Sequence, residues 1–375
     1  MKQHIYADNA ATTQLDKAAL EAMMPWLLGE YGNASQIYAF AREPKKALKQ
    51  ARETIAECIG ADPDEIFFTS CGSESDNWAV KGSAFADPGK RTLITSAFEH
   101  HAVLRASAAV ERLGYPVVYL PPDSKGIIPV RELEETITGQ TRMVSVMFAN
   151  NEIGTIQPIP ELCETAHSRG AVFHTDAVQA VGHLPIHVRG LGVDMLSASA
   201  HKFNGPKGIG FLYLKRGTAL APLIDGGSQE YGARAGTENV AAIVGMAVAL
   251  RENCEALETN QFFLRELEKL FLERLNASGT AFLRNGGSET LPGLLSLSFP
   301  DMDGEAILHR MDLKGICIST GSACNSKETE ISHVLRAIGL EESLAKGTIR
   351  VSFGKYNTPE EVRFIADSLI TIIRS

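Results

Sequence analysis

The chain has few cysteines, and none of them stand in the close pairs that bind structural zinc. Such ligands usually occur as two cysteines separated by two residues, so we predict no metal site of this kind. A disulfide framework is not expected either, because disulfides stabilise small secreted domains rather than cytosolic chains of this size. The six cysteines are Cys58, Cys71, Cys163, Cys254, Cys317 and Cys324.

The sequence also lacks a long apolar run, an excess of basic residues and a signal peptide. A membrane span needs about 20 consecutive apolar residues, and no segment here has that length. The formal net charge of -9 argues against general binding to nucleic acids or membrane surfaces. Because the first residues do not have the pattern of a secretion signal, we expect a cytoplasmic protein.

The composition is suited to a large core. The chain has 375 residues, of which 44% are hydrophobic, and this length predicts one large domain and a smaller one. From about residue 44 to 214, short apolar segments alternate with helical patterns, which predicts an α/β fold with a mostly parallel sheet. The seven predicted strands are Ile66 to Thr69, Thr92 to Thr95, Pro116 to Leu120, Met143 to Phe148, Ala171 to His174, Val193 to Ser197 and Ile209 to Leu214.

The pattern changes after about residue 238, where we predict a smaller α+β domain. A long helical stretch, Val240 to about Leu275, leads into it, and we expect the N-terminal segment to return to it. The predicted division is a large domain of residues 15–250 and a small domain of residues 1–14 and 251–375. Its predicted strands are Leu294 to Phe299, Gly315 to Ile318 and Ile349 to Phe353, and its helices are Gly304 to Met311 and Pro359 to Ile373.

Lys202 is the most informative residue of the chain. It follows the predicted strand Val193 to Ser197, within Ser199-Ala200-His201-Lys202. A lysine amine at such a place can form a Schiff base with an aldehyde cofactor. Asp176 stands at the end of another strand and can pair with a protonated pyridine nitrogen. A lysine and an acidic partner of the pyridine ring are what a protein contributes to pyridoxal phosphate (PLP) chemistry.

A phosphate site is predicted where the first strand of this series ends. Gly72 and Ser73 follow that strand in a turn of small residues that opens a helix, and a helix N-terminus presents free N–H groups and a positive dipole end. The alternative is that Ser73 only caps the helix. A second loop of small residues, Gly232 to Thr237, would supply another donor or serve only as a linker.

Candidates for contacts with a pyridine ring follow other strands. His100 would stack on the ring or transfer a proton, although an isolated loop histidine is commonly a surface residue. Asn151 and Gln179 are amides near strand ends that could bond the ring substituents. Cys324 lies among small residues, where a thiolate would act as a nucleophile; the alternative is a passive cysteine.

Taken together, these motifs resemble those of cysteine desulfurases of the NifS/IscS-like group, in the class V aminotransferase family. The resemblance spans nearly the whole chain. It rests on Tyr6-Ala7-Asp8-Asn9-Ala10-Ala11-Thr12-Thr13, Gly32-Asn33-Ala34-Ser35, Thr69 to Asn77, Glu99-His100, Asn150-Asn151-Glu152-Ile153-Gly154, Asp176-Ala177-Val178-Gln179, Ser199 to Lys202, Arg234-Ala235-Gly236-Thr237, Gly321-Ser322-Ala323-Cys324 and Ile349-Arg350-Val351-Ser352.

The resemblance implies a fold of the PLP-dependent transferase fold type I and a role for each matching residue. Lys202 would carry PLP, Asp176 would pair with the pyridine nitrogen, and His100 would stack on the ring. Asn151 and Gln179 would contact the side of the ring. The phosphate would be held by Gly72, Ser73, Ser199 and His201, with Thr237 supplied by the second subunit of a homodimer.

The resemblance also implies how substrate and sulfur are handled. Asn33 and Arg350 would bind the carboxylate of L-cysteine, since the planar guanidinium matches a carboxylate. Cys324 matches the cysteine that takes up the sulfur as a persulfide, giving L-alanine as the other product. The spacing from Cys324 to His333 resembles the longer-loop group, which passes sulfur to protein acceptors.

Other functions stay open on the residues alone. Another PLP reaction of the same family, such as selenocysteine lyase or aminotransferase activity, would keep Lys202 and Asp176 and make Cys324 dispensable. A non-catalytic scaffold for sulfur relay is a third possibility, against which the intact Lys202 argues. The acceptor is equally open between iron–sulfur cluster assembly, tRNA thiolation, cofactor synthesis and DNA sulfur modification.

Overall fold

The computed structural model of the chain describes residues 4–87, 89–320 and 331–375. Within these ranges the strands are β1 (Ile5–Tyr6), β2 (Ile66–Thr69), β3 (Thr92–Ser96), β4 (Val117–Leu120), β5 (Thr141–Ser145), β6 (Val172–Asp176), β7 (Met195–Ser199), β8 (Gly210–Leu214), β9 (Leu283–Arg284), β10 (Leu294–Ser298), β11 (Ile316–Cys317), β12 (Ser319–Thr320) and β13 (Thr348–Ser352).

The α-helices of the same ranges alternate with these strands in the first half of the chain. They are α1 (Lys17–Leu28), α2 (Arg42–Ile59), α3 (Gly72–Ala86), α4 (His101–Arg112), α5 (Val130–Thr136), α6 (Ile159–Ser168), α7 (Val188–Leu191), α8 (Val240–Glu255), α9 (Leu257–Ala277), α10 (Gly304–Leu313), α11 (His333–Ala337), α12 (Glu342–Lys346) and α13 (Pro359–Ile373). None of the helices described is long and apolar enough to cross a membrane.

The large sheet has seven strands in the order β2-β8-β7-β6-β5-β3-β4. Strand β8 is antiparallel to both of its neighbours, and the remaining pairs are parallel. The seven predicted strands and the α/β fold are therefore confirmed, with small shifts at the strand ends. Because β6 and β7 are parallel neighbours in register from His174 and Met195 onward, their carboxyl ends lie side by side.

A second, smaller sheet has the order β12-β13-β10-β9 and is antiparallel. Its core contains Ala7, side chains of α9 and α13 such as Phe271 and Ile365, and residues of the strands such as Leu297 and Val351. The N-terminal segment reaches this part of the fold, because β1 pairs with β11 in parallel. The division at residues 14 and 250 stays a prediction that these separate cores support.

Two elements predicted as continuous are interrupted. The helix expected from Val240 to about Leu275 is two helices, α8 and α9, which meet at Ala256. Helix α8 packs on the core of the large sheet and α9 on the core of the small one, so the two helices contribute to different cores. The strand expected from Gly315 to Ile318 is shortened to the two residues of β11, which pair with β1, and a separate strand, β12, follows it and pairs with β13.

Close packing of two turns fixes the position of the segment that follows β7. Gly182 has a φ of +78°, and a Cβ at this position would lie 2.7 Å from the Cβ of Phe203. The next residue, His183, donates from Nε2 to the carbonyl oxygen of Lys202 over 2.8 Å. Asn253 of α8 donates from Nδ2 to the carbonyl oxygen of Phe203 over 2.8 Å. Two elements, the turn at residues 182–183 and α8, thus hold the backbone that follows the side chain of Lys202.

We expect Gly182→Ala to destabilise the protein more than Gly279→Ala. Both glycines have a positive φ, but a Cβ at Gly279 would meet nothing within 4 Å. The control variant Gly279→Ala is therefore destabilised only by placing a Cβ on a residue with a positive φ. Gly182→Ala adds steric overlap with Phe203, which costs about 1–3 kcal/mol. Denaturant unfolding of both variants measures the difference, and equal free energies of unfolding would show that the two turns do not pack as described.

Candidate active site

A cavity of about 310 Å³ opens at the carboxyl ends of the large sheet. This is the place where open α/β sheets bind their ligands. Most of the residues selected from the sequence line it, although they come from distant parts of the chain. These residues are Gly72, Ser73, His100, Asn151, Asp176, Gln179, Ser199, His201, Lys202 and Arg350.

One end of the cavity is built to receive an anion. Helix α3 begins at Gly72, and its N-cap is Cys71, so Ser73 is inside the helix and the interpretation of Ser73 as a cap is wrong. The first N–H groups of a helix have no partner within it, and Gly72 and Ser73 line the cavity. A Cβ at Gly72 would lie 2.6 Å from Cγ2 of Val178, so glycine is what lets the helix end approach so closely.

Two side chains from the end of β7 face the same anion site. The hydroxyl oxygen of Ser199 is buried and has no hydrogen-bond partner among the described residues. Because buried polar atoms are nearly always paired, this hydroxyl is suited to a bound group. His201 is hydrogen-bonded through Nδ1 to the hydroxyl of Thr12 at 3.1 Å, and burial lowers its pKa to about 4, with Lys202 adding to the effect.

The cavity is also lined by the carboxyl group of Asp176, a residue that is 4% exposed. Its Oδ1 accepts the backbone N–H of Val178 at 2.9 Å. Burial raises the pKa of Asp176, whereas His100, the Val178 hydrogen bond and Lys202 lower it. A carboxylate kept in such surroundings is a suitable partner for a protonated ring nitrogen.

His100 lines the cavity close to Asp176, with ligand atoms of the two side chains within 4.8 Å of each other. Its Nδ1 accepts the N–H of Ala102 at 3.2 Å and so caps α4. Burial lowers the pKa of His100, Lys202 lowers it further, and Asp176 opposes both. The imidazole is therefore a flat, neutral ring at neutral pH that can stack on another ring or accept a proton.

The amine of Lys202 is directed into the cavity by the N-terminal segment. Lys202 ends a short turn after β7, and its Nζ donates to the carbonyl oxygens of Ala10 at 2.6 Å and Ala11 at 2.9 Å. Gln179 donates to the same oxygen of Ala10 at 2.9 Å. These backbone acceptors were not foreseen, because a carbonyl oxygen leaves no signal in the sequence.

Arg350 projects into the cavity from β13 of the small sheet. Its Nη1 donates to the carbonyl oxygen of Asn151 at 2.8 Å and its Nη2 to Oδ1 of Asp8 at 2.7 Å. The side chain is almost fully buried, so these two bonds fix the plane of the guanidinium. Asp8 is a positioning residue that the sequence reasoning missed, although it stands in one of the quoted motifs.

Two predicted site residues of the described ranges do not line this cavity. Asn33 accepts the N–H of Ser35 through Oδ1 at 2.9 Å, and Thr237 is exposed and lines a separate cavity of about 100 Å³ beside Arg234. Cys324 lies outside the residues that the structure describes. Their roles stay predictions.

Asp76 is a further residue of the cavity that the sequence reasoning missed. It lies on α3, is 1% exposed and lines the cavity. In the described ranges, Asp76, His100 and Asp176 form one group whose ligand atoms are spaced as for a metal ion. The positive charge of the Lys202 amine in the same cavity opposes the binding of a metal cation. The prediction that the chain has no metal site stays untested.

The comparisons with known proteins agree with this geometry. The sequence profile of the family described as aminotransferase class-V matches residues 5–365. The chain belongs to this family. Family members are PLP-dependent enzymes, and the cavity has what PLP needs: an anion site at a helix end, a buried acid, a flat ring and a lysine amine.

Relatives within the family extend over the full chain. The cysteine desulfurase IscS of Dictyoglomus turgidum is 47% identical, over 100% of this chain and 95% of the relative. A solved structure of a NifS-like protein matches with a TM-score of 0.93 and 38% identity, over 99% of this chain and 100% of the other. A structure of SspA in complex with cysteine matches with a TM-score of 0.84 and 39% identity, over 94% and 100%. The resemblance to cysteine desulfurases is confirmed.

Below the cavity, His174 joins two serines of neighbouring strands. Its Nδ1 lies 2.8 Å from Oγ of Ser145 and its Nε2 lies 2.9 Å from Oγ of Ser197. The ring is completely buried, and burial lowers its pKa to about 3. It therefore stays neutral in the folded protein at any pH near neutrality and serves as a structural bridge.

We expect the free energy of unfolding of His174→Gln to fall less steeply than that of wild type as the pH is lowered. The unfolded chain binds a proton at this histidine below about pH 6.5, whereas the folded chain does not until about pH 3. The histidine therefore lowers the free energy of unfolding by up to about 1.4 kcal/mol for each pH unit between these values. Denaturant unfolding between pH 7 and 4 should show a shallower slope for the variant. Exposed His4→Gln is the control, and equal slopes for His174→Gln and wild type would contradict the assignment.

Proposed function

We propose that the chain is a PLP-dependent cysteine desulfurase, which removes sulfur from L-cysteine to give L-alanine and a persulfide on Cys324. The observation that carries the proposal is the meeting of Lys202, Asp176 and Arg350 in one cavity beside the N-terminus of α3. Full-length similarity to cysteine desulfurases supports it. The sulfur would then pass to an acceptor protein of iron–sulfur cluster assembly, tRNA thiolation or DNA sulfur modification.

The residues that line the cavity divide between the parts of the cofactor. The phosphate would be held by the N–H groups of Gly72 and Ser73, with Ser199 and His201 beside them. Asp176 would hold the ring nitrogen and Lys202 the aldehyde carbon. His100, Asn151 and Gln179 would contact the ring and its substituents. When bound, PLP supplies an aldehyde that condenses with amino groups and a ring that withdraws electrons from the substrate Cα.

Arg350 and Lys202 would divide the work on the substrate. The guanidinium of Arg350, held by Asp8 and Asn151, would bind the substrate carboxylate together with Asn33. This fixes the Cα of L-cysteine near the amine of Lys202, which takes up the Cα proton. Neutral His100 would accept the proton of the substrate thiol or return one to a carbon atom.

Cys324 would perform the sulfur step. Its thiolate attacks the sulfur of the substrate, and the new S–S bond forms as the bond between that sulfur and Cβ breaks. The electron pair of the broken bond stays with the substrate carbon, which takes up a proton and leaves as alanine. A thiolate of the acceptor then attacks the outer sulfur of the persulfide and regenerates Cys324.

A homodimer is part of the proposal. Thr237 is exposed and does not line the cavity of its own chain, as expected for a residue that completes the phosphate site of a second copy. Arg234 pairs with Glu74 through two hydrogen bonds of 2.7 and 3.0 Å, which anchors the loop that carries Thr237 beside the start of α3. The cytoplasmic location stays a prediction.

We expect Cys324→Ala to bind PLP as wild type does and to form neither alanine nor persulfide above background. The reason is that the lysine chemistry is intact whereas the sulfur nucleophile is gone. The measurements are the visible absorbance of the bound cofactor, alanine release and persulfide labelling.

Cys71→Ala is the matched control, because Cys71 is the cavity-lining thiol of the described residues. It should retain alanine and persulfide formation. Normal turnover in Cys324→Ala would contradict the proposed role and point to another PLP reaction of the family, such as selenocysteine lyase or aminotransferase activity.

We expect Arg350→Lys to raise the KM for L-cysteine about 10- to 100-fold with a smaller effect on kcat. An ammonium cannot bind a carboxylate through a planar fork, and one lost charge-assisted hydrogen bond costs about 1.5–3 kcal/mol. Asp8→Asn, which keeps the arginine and loosens its support, should have a smaller effect in the same direction. An unchanged KM in Arg350→Lys would remove the residue from the substrate site.

A further inference from the structure

The proposed function leaves the buried carboxyl group of Asp76 without a role. Asp76 lines the cavity from α3, is 1% exposed, and has an oxygen, Oδ1, with no hydrogen-bond partner in the described residues. Ligand atoms of Asp76, His100 and Asp176 all lie within 4.8 Å of one another. A second acid therefore stands beside the one that would hold the ring nitrogen.

Two carboxyl groups so close together in a buried cavity do not both ionise. The first negative charge opposes the second, and burial weakens the screening between them, so the pair retains one proton well above the usual pH range of an aspartic acid. The question is which of the two carries the proton.

The hydrogen bonds place the charge on Asp176. Its Oδ1 accepts the N–H of Val178, and His100 and Lys202 both favour its ionised form. Among the described residues, Asp76 accepts a hydrogen bond from the hydroxyl of Ser197, and its Oδ1 has no partner. Burial raises the pKa of Asp76 well above its ordinary value, and the charge of Asp176 raises it further.

The other groups that face Asp76 do not supply a compensating positive charge. His174 has its Nε2 3.8 Å from Oδ1 of Asp76, but its ring is neutral because burial lowers its pKa to about 3. Glu99 and Cys71 act on Asp76 in the same direction as Asp176, against ionisation. Glu99 is itself buried, with a pKa raised to about 8 by burial.

We propose that Asp76 is a second acid of the cofactor site, which stays protonated at neutral pH and so keeps the single negative charge of the pair on Asp176. The inference rests on the proposed function in one respect: the charge on Asp176 is what would hold the ring nitrogen of PLP. Asp76 is a positioning residue, because it acts through Asp176.

A consequence is an alkaline transition that belongs to Asp76. When Asp76 loses its proton, a second negative charge appears in the cavity. This charge makes the ring nitrogen of bound PLP and the amine of Lys202 bind their protons more tightly. Asp76→Asn keeps a neutral polar group of the same shape and cannot ionise. The visible absorbance of the PLP-loaded wild type should therefore show an alkaline transition that Asp76→Asn lacks.

Infrared difference spectroscopy between neutral and alkaline pH tests the proton directly. Wild type should lose a carboxylic-acid C=O stretch on alkalinisation, with the shift in D₂O that marks an exchangeable proton. Glu99 and Glu152 are also buried acids, and burial raises their pKa values to about 8 and about 7, so the protein is labelled with ¹³C-aspartate to separate the aspartic-acid band from theirs. The labelled band should be present in wild type and absent from Asp76→Asn. A labelled band that persists in Asp76→Asn, or is missing from wild type, would overturn the proposal.

Affinity for PLP gives a second measurement that a merely structural role would not produce. If Asp76 is neutral, Asp76→Asn should bind PLP within about twofold of wild type, whereas Asp76→Leu should bind more weakly. If Asp76 is ionised, Asp76→Asn removes a charge beside the ring nitrogen, and a loss of about tenfold, equivalent to one pK unit, would contradict the proposal.

The two proposals fail separately. The infrared band is measured with and without PLP. If the protein never takes up PLP, the proposed function is wrong, but the measurement without PLP still shows whether Asp76 is protonated. Should Asp76→Asn fail to fold, ¹³C-aspartate labelling of wild type and of Asp176→Asn assigns the band: a labelled band that survives in Asp176→Asn supports Asp76, and its absence from both contradicts it.

Discussion

The site depends on one negative charge kept away from water. Asp176 is buried at the end of β6, where burial alone would favour its neutral form, and nearby groups restore the charge. Lys202 follows β7, the parallel neighbour of β6. The register of two adjacent strands thus sets the separation between the acid and the amine, and the helix that follows β2 adds an anion site at the same edge. The chemistry proposed for the chain requires all three to share one cavity.

The small sheet completes this cavity from the other side. Arg350 lies on β13, yet its guanidinium bonds to Asp8 of the N-terminal segment and to the backbone at Asn151. The same N-terminal segment supplies the carbonyl oxygens that receive the amine of Lys202. Residues 8–11 therefore join the two sheets at the point where the substrate would bind, and a shift of one sheet against the other would alter both contacts.

Much of this arrangement could be predicted from the sequence, because strand and turn signals are local. The strands of the large sheet are short apolar segments bounded by turns, and the motif residues follow their ends. The break between α8 and α9 at Ala256 could not be predicted, because the helical periodicity of the sequence continues through it. The break is explained by the tertiary packing, in which α8 and α9 contribute to two separate cores. Asp76 was missed for a related reason: a charged residue in a helix is usually exposed, and only the packing of α3 on the sheet places this one in the cavity.

The most direct test of the account is to locate the covalent bond between the protein and its cofactor. The PLP-loaded protein is reduced with borohydride and digested, and the peptides are sequenced by mass spectrometry. The account predicts a pyridoxyl group on Lys202 alone, with no such adduct in Lys202→Ala. A modified lysine elsewhere in the chain, or a protein that binds no PLP at all, would contradict it.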